Sequence, residues 1–554
     1  MKIKKTISFF IPSLIVIMSC FPVKAQISFG GKPPSFLSIQ KAQSTANVPV
    51  KSFFPKENIQ LLKKQDVYAK ENGAPPIVAT LIPSTVDLAA SGQWELLSGD
   101  SICRLTIEST GAEGILLYYS KFNIPSGGKL FLYNADGSQI LGAYTSETNK
   151  KGGRFSTEII YGDKLTLEYV QPKGTAKPDI RISDIGYGYN VGETIVSGSS
   201  LLRAGTNDCM VDINCSPEGD QWQQQKKGVA KIIVRIGSYS YLCSGSLVNN
   251  VYQDHTPYFL SAHHCFDENG STADFSSIQF YFHYESTDCG TNVISSKTKT
   301  MIGADLLVDA PLVGGSDGSL LRLTDTIPSS YDVYYNGWDI SETPPTRGVI
   351  IHHPNGDLKK ISTYTQQPTT VTFVDGSNVS TEGGHWKVVY ATTTNGYSVT
   401  AGGSSGSPMF NQNGHIVGTL TGGTSQCSSP SDPDYYGKFY YHWNKSNDST
   451  QWMSKYLNAP NYSAITAING IDGYTKGDTL TGQNYLKIAP VITNGYLYVT
   501  TTYAISEIRV YNLAGRLITR SNSLPVNATK WPKGVYIVVV ETSGGRGKGK
   551  TLKD

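Results

Sequence analysis

Phe259-Leu260-Ser261-Ala262-His263-His264-Cys265 is an apolar strand that ends in a small residue, two histidines and a cysteine. A second string, Gly403-Ser404-Ser405-Gly406-Ser407-Pro408, leads into an apolar Met409-Phe410 strand. A serine hydroxyl is a weak nucleophile at neutral pH. It needs a base to take its proton and backbone donors to hold the developing oxyanion. Gly-x-Ser-Gly supplies the geometry, because small flanking residues let the backbone turn until two N–H groups face one point. Ser405 then reads as a nucleophile, with the N–H groups of Gly403 and Ser405 as its oxyanion hole. A histidine fixed by a following half-cystine suits a base, so His264 takes that role and His263 a structural one.

The third partner should be a carboxylate between the two strings that orients the imidazole. Ser316-Asp317-Gly318-Ser319-Leu320-Leu321 offers an aspartate entering an apolar strand, which points to Asp317, with Asp305 and Asp309 as rivals. His352-His353 invites a metal reading. Adjacent strand residues point to opposite faces, however, so neither a metal nor any other cofactor is expected.

Working outward, the cysteines fix the compartment. There are eight, and six of them (Cys209, Cys215, Cys243, Cys265, Cys289 and Cys427) surround these strings. An even set in an exported chain reads as three disulfides, with about fifteen pairings open on sequence alone. Export is signalled by Met1-Lys2-Ile3-Lys4-Lys5, an apolar run from Ile7 to Met18, and Val23-Lys24-Ala25 before Gln26. Residues 1–25 therefore read as a secretory signal, with Cys20 as a rival lipid-anchor site. Cys103 stands apart and is given no chemistry. Charged residues make up 16% of the chain, below the usual quarter or so, while Gly (56) and Tyr (34) are abundant. This composition fits extracellular all-β domains and argues against disorder, coiled coil and a polytopic membrane protein. A net charge of +3 gives no reason to expect nucleic acid.

Residues 26 to about 75 show little periodicity and read as a loose leader. From about 85 to 195, strands such as Lys129-Leu130-Phe131-Leu132-Tyr133 alternate with turns such as Ala135-Asp136-Gly137, as in a β-sandwich or jelly roll. The block from 204 to 473 is strand-rich, with one helix-like stretch near 449–457. Residues 474–485 read as a polar linker. Residues 486–554 carry short alternating strands and ten Lys/Arg against three Asp/Glu.

The order His, Asp, Ser in these strings resembles the chymotrypsin-like serine peptidases, and within them the bacterial lysyl endopeptidases. The resemblance also rests on Cys243-Ser244-Gly245-Ser246-Leu247-Val248-Asn249-Asn250, Asn336-Gly337-Trp338-Asp339 and Ile351-His352-His353-Pro354-Asn355-Gly356. It implies a double β-barrel over 204–473 and disulfides Cys209–Cys427, Cys215–Cys289 and Cys243–Cys265. It also implies a buried carboxylate for a basic substrate side chain at Asp434, with Asp432 as rival. Gly422 and Gly423 would pair with an extended substrate. Thr421 stands where the family carries a histidine, and the family's tryptophan near Phe373-Val374 is missing. Thr421 matches instead the hydroxyl that supports the catalytic aspartate in ordinary chymotrypsin-like enzymes. Residues 26–203 resemble a pro-region cut at Arg203–Ala204. Val510-Tyr511-Asn512-Leu513-Ala514-Gly515-Arg516 and Lys533-Gly534-Val535-Tyr536 resemble the sorting domain of Bacteroidetes type IX secretion, a small β-sandwich.

The expectation is a monomeric zymogen, exported across the outer membrane and then released or held at the surface, with no transmembrane span. It would meet the type IX machinery and cleave protein or peptide substrates after Lys. An Arg-preferring enzyme and an idle surface adhesin on a peptidase scaffold stay open as alternatives.

Overall fold

Alternation of side chains builds most elements. In the strand Lys164–Gln171, Leu165, Leu167 and Tyr169 point into the core while their neighbours point the other way. The computed structural model describes residues 28–36, 48–71, 75–458, 465–473 and 485–553, with short breaks at 98, 192–193, 198–199, 204–208, 269, 487–488, 494, 501–504, 513–515 and 543–544. The signal segment, the Ala204 side of the junction and nearly all of the linker lie outside the described residues.

The N-terminal block holds a six-stranded sheet of Val50–Ser52, Gln93–Leu97, Asp100–Glu108, Lys129–Asn134, Ile140–Tyr144 and Lys164–Gln171. Five more of its strands, the short Phe155–Ser156 and Ile160–Tyr161 and the longer β1 (Ile77–Asp87), β2 (Gly114–Asn123) and β3 (Asp179–Gly188), do not stay within the block. They join a twelve-stranded sheet with β4 (Val229–Ile236), β5 (Tyr239–Leu247), β6 (Tyr258–Ser261), β7 (Gln279–Phe282), β8 (Lys299–Ile302), β9 (Ala304–Ala310) and β10 (Gly318–Leu323). The junction is antiparallel pairing of β1 with β5, Thr80 opposite Tyr239 and Ala79 opposite Ser240. The Tyr118 hydroxyl lies 2.8 Å from Ser240 Oγ, and Arg235 pairs with Asp184 at 2.8 Å. One apolar cluster runs from Leu105 and Tyr169 to Ile232 and Phe280. The packing is therefore continuous across the 203/204 boundary.

The leader differs from its expectation. Ile59–Glu71 is a helix, started by Asn58, whose side-chain oxygen accepts from the N–H groups of Gln60 and Leu61. Leu62 is buried against the shared core. The apolar contacts that hold this helix come from distant strands, and so its own periodicity is weak.

Within the twelve-stranded sheet, pairing runs β8–β7–β4–β5–β6–β10–β9, and only Gly303 separates β8 from β9. A ten-stranded sheet includes β11 (Gly348–His352), β12 (Lys360–Tyr364), β13 (His385–Val388), β14 (Pro408–Asn411), β15 (Ile416–Gly423) and β16 (Asp434–Lys438). These run in the order β12–β11–β14–β15–β16–β13. A short helix, Phe439–Asn444, follows β16. The helix-like stretch near 449–457 is a 3-10 turn, Ser449–Gln451, and one helical turn, Ser454–Leu457. The C-terminal block packs a five-stranded sheet and a three-stranded one around Leu497, Ile508, Val510, Val538 and Val540.

Candidate active site

His264 lies in the single turn His263–Cys265 that follows β6. The Cys243–Cys265 disulfide ties this turn to β5. Asp317 immediately precedes β10, fully buried and in the left-handed region at φ +59°. Its carboxylate grips His264 twice: Oδ1 accepts the backbone N–H at 3.0 Å and Oδ2 lies 2.8 Å from Nδ1. Burial works to raise the Asp317 pKa, but the His264 charge and these hydrogen bonds outweigh it and hold the carboxyl below its ordinary value. An ionised carboxylate can only accept, so Nδ1 carries a proton, and in the neutral imidazole Nε2 is then the acceptor nitrogen. Nε2 is buried and has no hydrogen-bond partner among the described residues.

The rival aspartates are engaged elsewhere. Asp309 takes His263 Nδ1 at 2.8 Å and the Ser319 hydroxyl at 2.6 Å, and Asp305 pairs with exposed Arg322. Burial lowers the His263 pKa, but Asp309 overrides it and raises the pKa.

Ser405 sits in the loop before β14. Its carbonyl accepts from Ser244 N–H at 2.8 Å. A Cβ on Gly406 would meet Ser261 Oγ at 2.1 Å and Ala262 N at 2.7 Å. This close approach seats the loop beside the residue that precedes the histidines. Among the described residues no hydrogen bond joins Ser405 to His264.

Asp434 opens β16, is buried, and is surrounded by donors. Its Oδ2 accepts from Tyr390 (2.8 Å), Thr400 (2.5 Å) and Ser425 Oγ (2.7 Å), and its Oδ1 from Ser425 N–H (3.2 Å). Burial raises its pKa, and these hydrogen bonds only partly offset the rise. Asp432 stays partly exposed in the preceding loop. Thr400, Ser425 and Tyr390 carry no local sequence signal, since they come from three separate segments.

Thr421 does not support Asp317. Its hydroxyl lies 3.1 Å from Nε2 of buried His385, whose ring packs 5.5 Å from Phe373. The hydroxyl two residues earlier, Thr419, lies 2.9 Å from His442 Nε2, and His442 Nδ1 is 2.8 Å from Ser316 Oγ, next to Asp317. Sequence reading missed both histidines, each of which lies alone among apolar or strand residues. Gly422 has open space where a Cβ would stand, at the partly exposed end of β15.

The disulfides are Cys209–Cys427, Cys215–Cys289 and Cys243–Cys265, the pairs the resemblance implies. Cys103 is a buried free thiol, pushed up to about 12 mainly by burial. His352 and His353 do not converge: His352 lies between Ser404 and Ser362, and His353 Nδ1 meets the Asp357 carbonyl.

Residues 204–437 match the family model described as Lysyl endopeptidase, C-terminal domain. Residues 487–553 match the Secretion system C-terminal sorting domain. The chain is 31% identical over 302 residues to a lysyl endopeptidase of Pseudomonas aeruginosa, covering 51% of this chain and 60% of that protein. It therefore spans less than two thirds of this curated relative. Among solved structures, the thermostable serine protease AL20 from an extremophilic microorganism aligns at 16% identity over 39% of this chain and 93% of its own, with a TM-score of 0.29. Protease Anisep of Arthrobacter nicotinovorans aligns at 17% identity over 38% and 90%, with a TM-score of 0.28. The central block is thus lysyl endopeptidase-like, and the C-terminal domain implies export across the outer membrane. Among the described residues no helix is long and apolar enough to cross a membrane.

Proposed function

We propose that the chain is a secreted serine endopeptidase, made as a zymogen, that cleaves peptide bonds on the carboxyl side of Lys. The observation that carries this reading is the buried Asp317, clasped to His264 so that Nε2 is left free as a base. In the reaction, Ser405 Oγ attacks the scissile carbonyl while His264 Nε2 takes its proton. The proton passes to the leaving amine as the C–N bond breaks, giving an acyl-enzyme. Water activated by the same imidazole releases the acid. Asp317 holds the tautomer and stabilises the imidazolium, and the N–H groups of Gly403 and Ser405 receive the oxyanion.

Asp434 gives the pocket its sign. Its surroundings also favour Lys over Arg. Oδ2 already accepts three donors, whereas Oδ1 accepts one. An ammonium needs a single acceptor, but a guanidinium fork needs both oxygens.

The two central sheets read as the paired barrels of a chymotrypsin-like fold. Pairing in the first begins at β8 and ends at β9, which are one continuous run of chain. The core shared by residues 48–191 and the peptidase block supports a zymogen, as does the hairpin Thr194–Ser197 with Ser200–Arg203, which ends at the basic junction. Export would bring the chain into contact with the type IX machinery through its C-terminal domain. Ser405→Ala tests the reading: hydrolysis of a lysyl reporter should vanish, and full residual cleavage would refute it.

A further inference from the structure

The His352–Gly356 run takes no part in the proton relay, yet two of its groups reach the nucleophile loop directly and a third reaches it through Ser244. The Asn355 N–H donates to the Gly402 carbonyl at 2.6 Å. His352 Nδ1 lies 2.7 Å from Ser404 Oγ, with Nε2 anchored 2.9 Å from Ser362 Oγ. The His353 N–H donates to Ser244 Oγ at 3.0 Å, and that hydroxyl donates to the Gly403 carbonyl at 2.8 Å. His352, His353, Ser244 and Ser404 are all completely buried.

A trans peptide is planar, with its C=O and N–H pointing in opposite directions. Turning the Gly402 carbonyl toward Asn355 therefore turns the Gly403 N–H away from it. The Ser407 N–H donates to the Ser404 carbonyl at 3.0 Å and fixes the Ser405 N–H in the same way. Ser244 holds the peptide unit between these two. Neither the Gly403 nor the Ser405 N–H has an acceptor among the described residues. The close fit needs glycine: Gly403 has φ +89°, and a Cβ there would lie 3.1 Å from His353 O and 3.3 Å from Asn355 N. Asn355 is itself left-handed at φ +53°, a conformation that persists only where the surroundings over-determine it.

We propose that Ser244 and the His352–Asn355 segment are positioning residues that hold the oxyanion hole open before substrate arrives. This rests on the reading of Ser405 as nucleophile. As the Ser405 Oγ–carbon bond forms, the carbonyl π pair moves onto oxygen, and donors already aimed there stabilise it without reorganising.

The test is Ser244→Ala in the full chain, matured alongside wild type, with His352→Gln as the second variant should the first fail to mature. Three quantities are read: kcat and KM on a lysyl reporter, the affinity of a peptidyl-lysine aldehyde, and the affinity of n-butylamine. The aldehyde adds Ser405 and forms the oxyanion, whereas butylamine fills only the side-chain pocket. The expected result is that kcat and aldehyde affinity fall together by about tenfold, short of the roughly 10²–10³ that losing a hole donor costs. KM and butylamine affinity should stay unchanged. Unchanged kcat and aldehyde affinity, or an equal loss of butylamine affinity, would overturn the proposal. An inert Ser405→Ala beside a fully active Ser244→Ala would sink this inference alone. An active Ser405→Ala would sink the nucleophile reading itself.

Discussion

In the proposed function specificity turns on Asp434, and the surroundings of this residue make a sharp prediction. Four protein donors reach a carboxylate that burial pushes toward its neutral form. Asn at this position keeps the shape and removes the charge. Asp434→Asn should leave thermal stability unchanged or higher. It should also lower kcat/KM on lysyl substrates by about 100-fold or more, the scale expected when one partner of a buried ion pair is lost. Comparing lysyl with uncharged reporters checks it, and an unchanged Lys preference would reject the pocket. The sequence points to Asp434 only through the family resemblance, which aligns on Tyr436-Gly437. It does not point to the donors, since hydrogen bonds between remote segments leave no periodicity. Thr421 shows the same limit: a hydroxyl can be matched by position, but its partner is set by which strands assemble into its sheet. Here that partner is His385, from β13, two strands along the same sheet.

At the scale of single elements, the turn His263–Cys265 shows how a short piece of chain is made rigid. It has only a few internal hydrogen bonds, and the Cys243–Cys265 bridge closes it over a separation of 22 residues. In the chain-entropy picture this bridge is worth about 3 kcal/mol. Replacing both cysteines by alanine should cost that much in denaturant unfolding. It should also lower kcat more than it raises KM, because His264 loses its anchor before the pocket does. An unaltered kcat would show that the turn is held by packing alone. Most strands were readable from alternation. The Ile59–Glu71 helix was not: its residues outside Leu62 are largely polar, and the contact that fixes it lies across the core.

The whole molecule carries a titration signature. His352, His353, His385 and His442 are buried in the peptidase block, and burial holds all four neutral, at about 3 for His352, about 4 for His385, about 3 for His442 and well below the usual value for His353. The unfolded chain takes up these protons below about pH 6.5 while the folded chain does not. Stability is therefore complete above that pH and falls as the pH drops toward the folded values, by up to about 1.4 kcal/mol per pH unit for each histidine. Denaturant unfolding at pH 7 and pH 5 should show a marked drop, and a flat profile over that range would contradict the burial. The sequence suggests separate blocks more readily than it suggests how they pack. Strand β1 lies in the N-terminal block but pairs with β5, and no local pattern announces a partner more than 150 residues away.

In the proposed function a buried carboxylate and a held imidazole make this chain cut after Lys. Cleavage-site profiling of the matured protein on a mixed peptide library tests it most directly. New carboxyl termini should end in Lys, with Arg far less frequent, and all should be lost in Ser405→Ala. Cleavage with no enrichment of a basic residue before the cut bond would contradict that function.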